Sequence, residues 1–512
     1  MQIYSKSNLR FIACTPNQTL LFPPNLEELI DSNHPVRIVD QIIDHIDIGP
    51  LIDTYKGGGA PSYHPRMMLK ILINAYLNNI YQSRRIEAAV KENIHFMWLA
   101  GMQKPDHNTI NRFRSDRLKH VIKKIFGQVV LLFVEQGIIS LKEVYTDGTK
   151  IEANANRYTF VWGKTIKYNK NRIIEQLKEL WAYTQQVAFE ELNDSEDIDF
   201  EQISSQKVSE TITRIDQALK GKPVDKKVKQ KVNYAKKNWS EKIKQYEEQE
   251  KLLDDRNSYS KTDTGATFMR MKEDHMGNGQ LKPGYNWQIS TTEQFCVNYS
   301  VHQDRSDIKT LIPHYDQFKQ LYDQMPEELT ADAGYGSEQN YEYLEQNQIK
   351  NFVKYNYFHR EQTQKFKHDI SKVENLHYNE EKDCLYCPMG QQMHYIGKHE
   401  RETDNGYIQT YSRYQAQNCH GCPLRGPCFK GKGNRIIEIN HKLRRYRKQA
   451  RDNLTSEKGL KHRSQRPVDV EPVFGMVKHN RGFKRLLLRG LDKVSIELGL
   501  IAIAHNISKI AA

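Results

Sequence analysis

Long apolar runs are missing from this chain. The longest, Val129 to Val134 and Leu498 to Ala504, are far short of the roughly 20 residues a helix needs to cross a bilayer. The opening MQIYSKSNLRF has no charged-then-apolar leader. No membrane partner is therefore expected. Acidic side chains are outnumbered, 63 against 76 Lys and Arg, giving a formal charge of +13. That balance disfavours cationic partners and favours polyanions. Cysteine is scarce, seven in 512 residues, and five of the seven fall between Cys384 and Cys428. Such clustering reads as metal binding rather than a disulfide framework. No internal repeat or low-complexity linker is visible, which argues against a solenoid or a tethered array.

What is present reads as a helical region followed by an α/β region. Up to about residue 140 the apolar spacing is helical, as at Leu69, Leu72, Ile73, Tyr76 and Ile80. In the string KPDHNTINRFRSDRLKHVIKKIF, Asp106 or Asn108 can cap a helix with Ile110, Phe113, Arg117 and Val121 on one face. Arg112 and Arg114 point elsewhere, and short helices with a basic last member resemble a helix-turn-helix. The plain alternative is a bundle with a solvated basic face. From Lys142 the pattern turns to strand. Heptad-spaced apolar residues (Ile173, Leu177, Leu180; Val208, Ile212, Ile215; Val232, Ala235, Trp239, Ile243) predict packed helices, breaking at Gly221 and Pro223. A hairpin over 284–303, a helix from Asp307, a strand ending ELTADAGYGS, a helix from Glu338 and a strand IKNFVKY follow. With the inserts at 165–260 and 380–435 set aside, a mixed sheet with helices on its faces remains over 141–512.

Three acids stand out. Asp147 in YTDGTK and Asp332 in TADAGYGS each end a strand with glycine close behind, a good place for a rigid ligand beside a cleft. Either one alone also reads as turn chemistry. Glu471 precedes Pro472, which predicts a helix starting there, with the carboxylate favoured by the helix dipole. Lys478 lies seven residues on, two turns along the same face, and Arg481, Lys484, Arg485 and Arg489 follow. Three carboxylates suit two Mg²⁺ ions about 3.5–4 Å apart, because magnesium takes hard oxygen ligands and keeps several waters.

The strings YTDGTKIEANANRYTFVWGK, TADAGYGSEQNYEYL and VEPVFGMVKHNRGFKR resemble bacterial insertion-sequence transposases with an RNase H-like DDE domain. The stretch from HPVRIVDQ to FMWLAG resembles the helical InsH-type domain that precedes it, here 1–140. The resemblance implies that Asp147, Asp332 and Glu471 hold catalytic Mg²⁺ or Mn²⁺ and that Lys478 assists. Arg112, Arg114, Arg481, Lys484 and Arg485 are expected to meet DNA. It further implies binding of terminal inverted repeats, strand cleavage and strand transfer, on double-stranded DNA as a homodimer, in the cytoplasm with the nucleoid. The related pattern has an arginine four residues before the glutamate; here that position is Pro467, with Arg466 beside it. Two alternatives share the features: a DNA-binding derivative that no longer cuts, and a metal-dependent nuclease that does not join.

Cys384-x₂-Cys387 and Cys419-x₂-Cys422, about thirty residues apart, have the form of a zinc ribbon, with Cys428 a fifth possible ligand. A closed four-thiolate site is structural rather than catalytic.

Overall fold

The computed structural model describes residues 25–55, 61–188, 199–200, 204–271 and 279–512. The first 24 residues of the expected helical domain and part of the 165–260 insert lie outside them. The chain begins with α1 (Pro35–His45), α2 (Pro65–Leu77), α3 (Ser83–Glu92), α4 (His107–Arg112) and α5 (Ile122–Glu135). Pro35 and Pro65 open α1 and α2 at the first turn, where a missing N–H costs nothing. The His34 and His64 side chains cap them, accepting the N–H groups of Val36 and Arg66. α2 buries nearly every residue from Met68 to Tyr76. A helix apolar on all sides belongs inside a core, not on a surface.

The sheet is built from β1 (Glu143–Glu152) onward. A two-stranded ribbon, β2 (Phe160–Trp162) with β3 (Ser258–Ser260), closes the base of the helical insert α6 (Gly163–Val187), α7 (Ser205–Ala218) and α8 (Lys226–Leu253). Then come β4 (Thr267–Arg270), β5 (Leu281–Thr292), β6 (Phe295–His302), α9 (Leu311–Tyr322), β7 (Glu328–Ala331), α10 (Glu338–Gln346) and β8 (Lys350–Val353). Strand order is β4-β5-β1-β7-β8, with β6 also paired to β5. β1, β7 and β8 run parallel, and the other pairings are antiparallel. This curled mixed sheet is consistent with the expected RNase H-like α/β fold. The heptad residues of the insert form their own small core, with Leu177, Trp239 and Ile243 fully enclosed. α7 ends at Ala218, Gly221 takes a positive φ, and α8 restarts behind Asp225.

The cysteine segment is a five-stranded antiparallel sheet, β9 (Tyr378–Asn379), β10 (Cys384–Tyr386), β11 (Gln392–Glu402), β12 (Ile408–Ala416) and β13 (Ile436–Ile439), around Leu385, Met393 and Tyr414. The chain finishes with α11 (His441–Thr455), α12 (Glu457–Gly475) and α13 (Leu491–Ile510). α13 is buried almost throughout, and one continuous core runs from Val39 of α1 through the sheet to Ile507. The N-terminal helices thus share their interior with the sheet. Arg481 pins the two together, donating to Tyr76 O and Ala504 O.

One expectation fails at α12. No helix starts at Pro472; Pro467 and Pro472 both lie inside a helix that begins at Glu457. Both prolines are on its exposed side. The carbonyl that Pro472 cannot bond, that of Val468, accepts the Gln294 side-chain amide at 3.1 Å. A partner from another element thus replaces the lost helical bond. Glu471 is therefore well inside a helix, not at its start.

Candidate active site and cysteine cavity

Parallel pairing brings the two aspartates together. Thr146 pairs with Ala331, so Asp147 and Asp332 are the next residues on neighbouring strands, which lie about 4.8 Å apart and point matched side chains to one face. Asp147 does not end its strand as expected: β1 runs on to Glu152, and only its pairing with β7 stops at Thr146. Asp147 Oδ1 accepts Gly148 N–H at 2.8 Å within the strand, while Asp332, just past the end of β7, accepts Gly334 N–H on Oδ1 at 2.8 Å in the turn that follows. Asp147 is buried, and its Oδ2 lies 3.2 Å from an Arg466 guanidinium nitrogen. Arg466, next to the unfilled position at Pro467, is the arginine that reaches the site.

α12 lies across this face. Its His462 meets Tyr145, Arg466 meets Asp147, and Phe474 packs edge-on against Trp287. Beyond its end, Lys478 is buried and donates to Thr149 Oγ1 at 2.7 Å and Lys150 O at 3.2 Å. Thr149 is two residues along β1 from Asp147 and so on the same face. Glu471 is exposed, bracketed on the helix by these two cations that reach β1. Asp469 is buried and accepts Thr291 Oγ1 at 2.6 Å and Gln294 N–H at 3.1 Å, a structural tie. Glu497 is likewise spoken for, receiving the N–H groups of Leu487 and Leu488. Burial pushes its carboxyl up to about 7.

The opposite face of the sheet braces β1 and the turn after Asp332, and the sequence reading missed it. Asp307 accepts the side-chain amides of Asn286 at 2.7 Å and Gln288 at 2.9 Å, and Tyr335 donates its hydroxyl to Gln288 Oε1. Tyr335 sits in the turn that follows Asp332, so this network ties that turn to β5. It explains Gly148: a Cβ there would strike the Gln288 amide and come within 3.0 Å of Asp307. Asn286 and Gln288 alternate on a strand otherwise rich in buried apolar residues, and that was the available signal.

Several expected DNA contacts are differently placed. Arg112, Lys484 and Arg485 are exposed. Arg114 is buried, with its guanidinium donating to Tyr81 O at 2.6 Å and Tyr76 Oη at 3.2 Å. It holds the end of α2 and cannot touch DNA in this arrangement. Arg114 lies four residues after the buried Ile110, and helix spacing places it on the same inward face. Arg481 is buried too, as described above, and is an interior tie rather than a DNA contact.

The five cysteines also separate. Cys387, Cys419, Cys422 and Cys428 line one cavity of about 30 Å³, room for a single small species. Cys384 does not line it; it sits buried in β10, paired in register with His394. The ribbon reading of Cys384 as a ligand is thereby corrected. Strand alternation turns Cys384 to a different side from the knuckle at Cys387. Arg435 borders the cavity, its guanidinium donating to Cys428 Sγ at 2.9 Å and its backbone N–H to Cys419 Sγ at 3.4 Å. Among the described residues, the one group of three potential metal ligands within 4.8 Å of one another is elsewhere: Glu143, Glu328 and His462. Lys458 already occupies it as a cation, 2.6 Å from Glu328 and 3.1 Å from Glu143.

Two family models match the chain. One, described as "Transposase DDE domain", covers residues 386–511, and the other, "Transposase domain (DUF772)", covers 24–116. They support an insertion-sequence DDE transposase. The transposase DDE match takes in Glu471, Lys478 and the cavity cysteines, while Asp147 and Asp332 precede it. No curated protein and no solved structure matches. A transposase acts on DNA, and among the described residues no helix is long and apolar enough to cross a membrane.

Proposed function

We propose that this chain binds the terminal inverted repeats of an insertion sequence and catalyses metal-dependent strand cleavage followed by strand transfer. The observation that carries the reading is the neighbouring placement of Asp147, where β1 stops pairing with β7, and Asp332, just past the end of β7, under a helix that bears Glu471. Hard oxygens held on a rigid sheet suit Mg²⁺ or Mn²⁺, and Glu471, exposed on α12, would be the third ligand. Bound divalent metal at such a site activates water or a DNA 3′-hydroxyl and stabilises the leaving oxygen. Arg466 offsets the charge of the acid pair, and Lys478 holds the β1 edge next to it. Arg112, Lys484 and Arg485 supply exposed charge for the DNA backbone. A synapse of two element ends calls for two copies of the chain on DNA.

The same reading gives the cysteine cavity a structural zinc, held by Cys387, Cys419, Cys422 and Cys428. Four thiolates make a closed tetrahedral set. The two N–H donors from Arg435 suit anionic sulfur and would orient it.

The test is incubation of the full chain with Mg²⁺ and a duplex carrying the DNA that flanks its own gene, scoring nicked and joined products. Nicking with joining is expected. Nicking alone would make it a nuclease, and binding without either product a non-cutting DNA-binding derivative.

A further inference from the structure

The register row that sets the aspartates side by side continues to β8. Ala331 of β7 pairs with Val353 of β8, and the Lys354 N–H donates to Ala331 O at 3.3 Å. Lys354 therefore stands beside Asp332 as Asp332 stands beside Asp147. α12 brings a second cation to the same rim. Arg463, one turn before Arg466, lies with its guanidinium 5.0 Å from the centre of the Phe358 ring. Among the described residues, neither Lys354 nor Arg463 makes an ion pair with a carboxylate. Arg466 and Arg463 both lie near enough to Lys354 to repel it, and Asp332 near enough to attract it. These cations crowd one another at a cost, and the acids that could balance them are those assigned to metal. An anion from outside the protein would relieve the repulsion.

We propose that Lys354 and Arg463 form a phosphate-binding rim that holds the DNA backbone next to the phosphodiester being cut. The proposal rests on the transposase reading and adds where the substrate strand leaves the site: over β8 and the first half of α12. Phe358 stacks on the Arg463 guanidinium and limits its motion, which suits an arginine placed to meet one phosphate.

The experiment measures binding of the full chain to a duplex bearing an element end, without divalent metal so that nothing is cut, across a salt series. Lys354→Gln and Arg463→Gln should each weaken binding and reduce the slope of log affinity against log salt by about one, the signature of one lost phosphate contact. Arg463→Lys, which keeps the charge, should restore the slope. Lys142→Gln, at the far end of β1 beside Glu327, should leave it unchanged. Folded Gln variants with the parent slope would overturn the rim. Should either variant fail to fold, methylphosphonates placed singly along the wild-type duplex replace it. A position within one turn of the cut that lowers the slope is expected, and the absence of any such position overturns the proposal. A wild-type chain that binds no DNA removes the transposase reading and the rim together, an outcome distinct from the others.

Discussion

The same two strands position two acid pairs, one at the start of their pairing and one where it stops. At the start of β1 and β7, Glu143 and Glu328 are register partners; four residues on, Asp147 and Asp332 occupy the matching places. The pairs differ in how their charge is met. Lys458 and His462 close over the glutamates, and His462 bonds Tyr145 in turn, so that end is a protein-only ion-pair knot. At the aspartates Arg466 meets Asp147, and each carboxylate accepts a nearby glycine N–H. Clustered carboxylates are therefore not enough to mark a metal site. What differs is that Lys458 spans both glutamates, whereas Arg466 reaches Asp147 and, among the described residues, no ion pair reaches Asp332.

The strongest way to break this comparison is to remove one charge from each end. Asp332→Asn should lower Mg²⁺-dependent cleavage by roughly a thousandfold or more, since metal stabilisation of the transition state is worth several kcal/mol. Glu328→Gln should leave the cleavage rate within a few-fold. Comparable loss in both, measured on the same labelled duplex, would erase the distinction between the two ends.

The cysteines extend the comparison to sulfur, where Arg435 donates to Cys428 and Cys419 and the proposed zinc would supply the remaining charge. Purified protein should carry about one zinc per chain, by the tetrahedral ligand count. Cys428→Ser should lose it, and Cys384→Ser should keep it while costing packing in β10. Elemental analysis of reduced samples decides; zinc lost from the Cys384 variant alone would restore the original ribbon pairing.

A smaller effect sharpens the glutamate end. Burial raises the Glu328 carboxyl, but hydrogen bonds from Lys458 and His462 outweigh it, so the net shift is downward. A lowered folded value means this contribution is present above the unfolded value near 4.5 and fades as pH falls through the lower folded one. Glu328→Gln should cost about 1–3 kcal/mol near neutrality by urea unfolding, because buried partners lose a charged acceptor. The difference from wild type should shrink in acid. Growth of the gap below pH 4 would contradict the assignment.

The smallest change concerns Asp469, two residues from Glu471 but turned into the interior. Asn keeps the one oxygen that accepts both Thr291 and Gln294, so Asp469→Asn should be mild. Asp469→Ala leaves both donors unmet and should cost about 1–3 kcal/mol. Glu471→Gln should instead spare stability and abolish cleavage. The reverse pattern would exchange the two acids.

Much of the architecture was legible because it is local. Strand alternation around Asp147, the turn glycine after Asp332, the heptads of the insert and the paired CxxC spacing are all short-range patterns. The misreadings came where distant groups decide. Pro472 looked like a helix start until Gln294, far back in the chain, took up the orphaned carbonyl. Arg114 and Arg481 look like DNA contacts by charge and spacing, yet Arg114 bonds the Tyr81 carbonyl and the Tyr76 hydroxyl, and Arg481 bonds carbonyls of α2 and α13.

By itself, then, the sequence determined which elements form, that Asp332 follows a strand end, and which cysteines cluster, since periodicity and turn chemistry act over a few residues. Only the tertiary structure decided that β1 continues past Asp147, which acids face one another, which are already neutralised by a lysine, which four cysteines share a cavity, and which arginines are interior. Those outcomes depend on strand register and helix docking. One residue of slip sends a side chain to the other face.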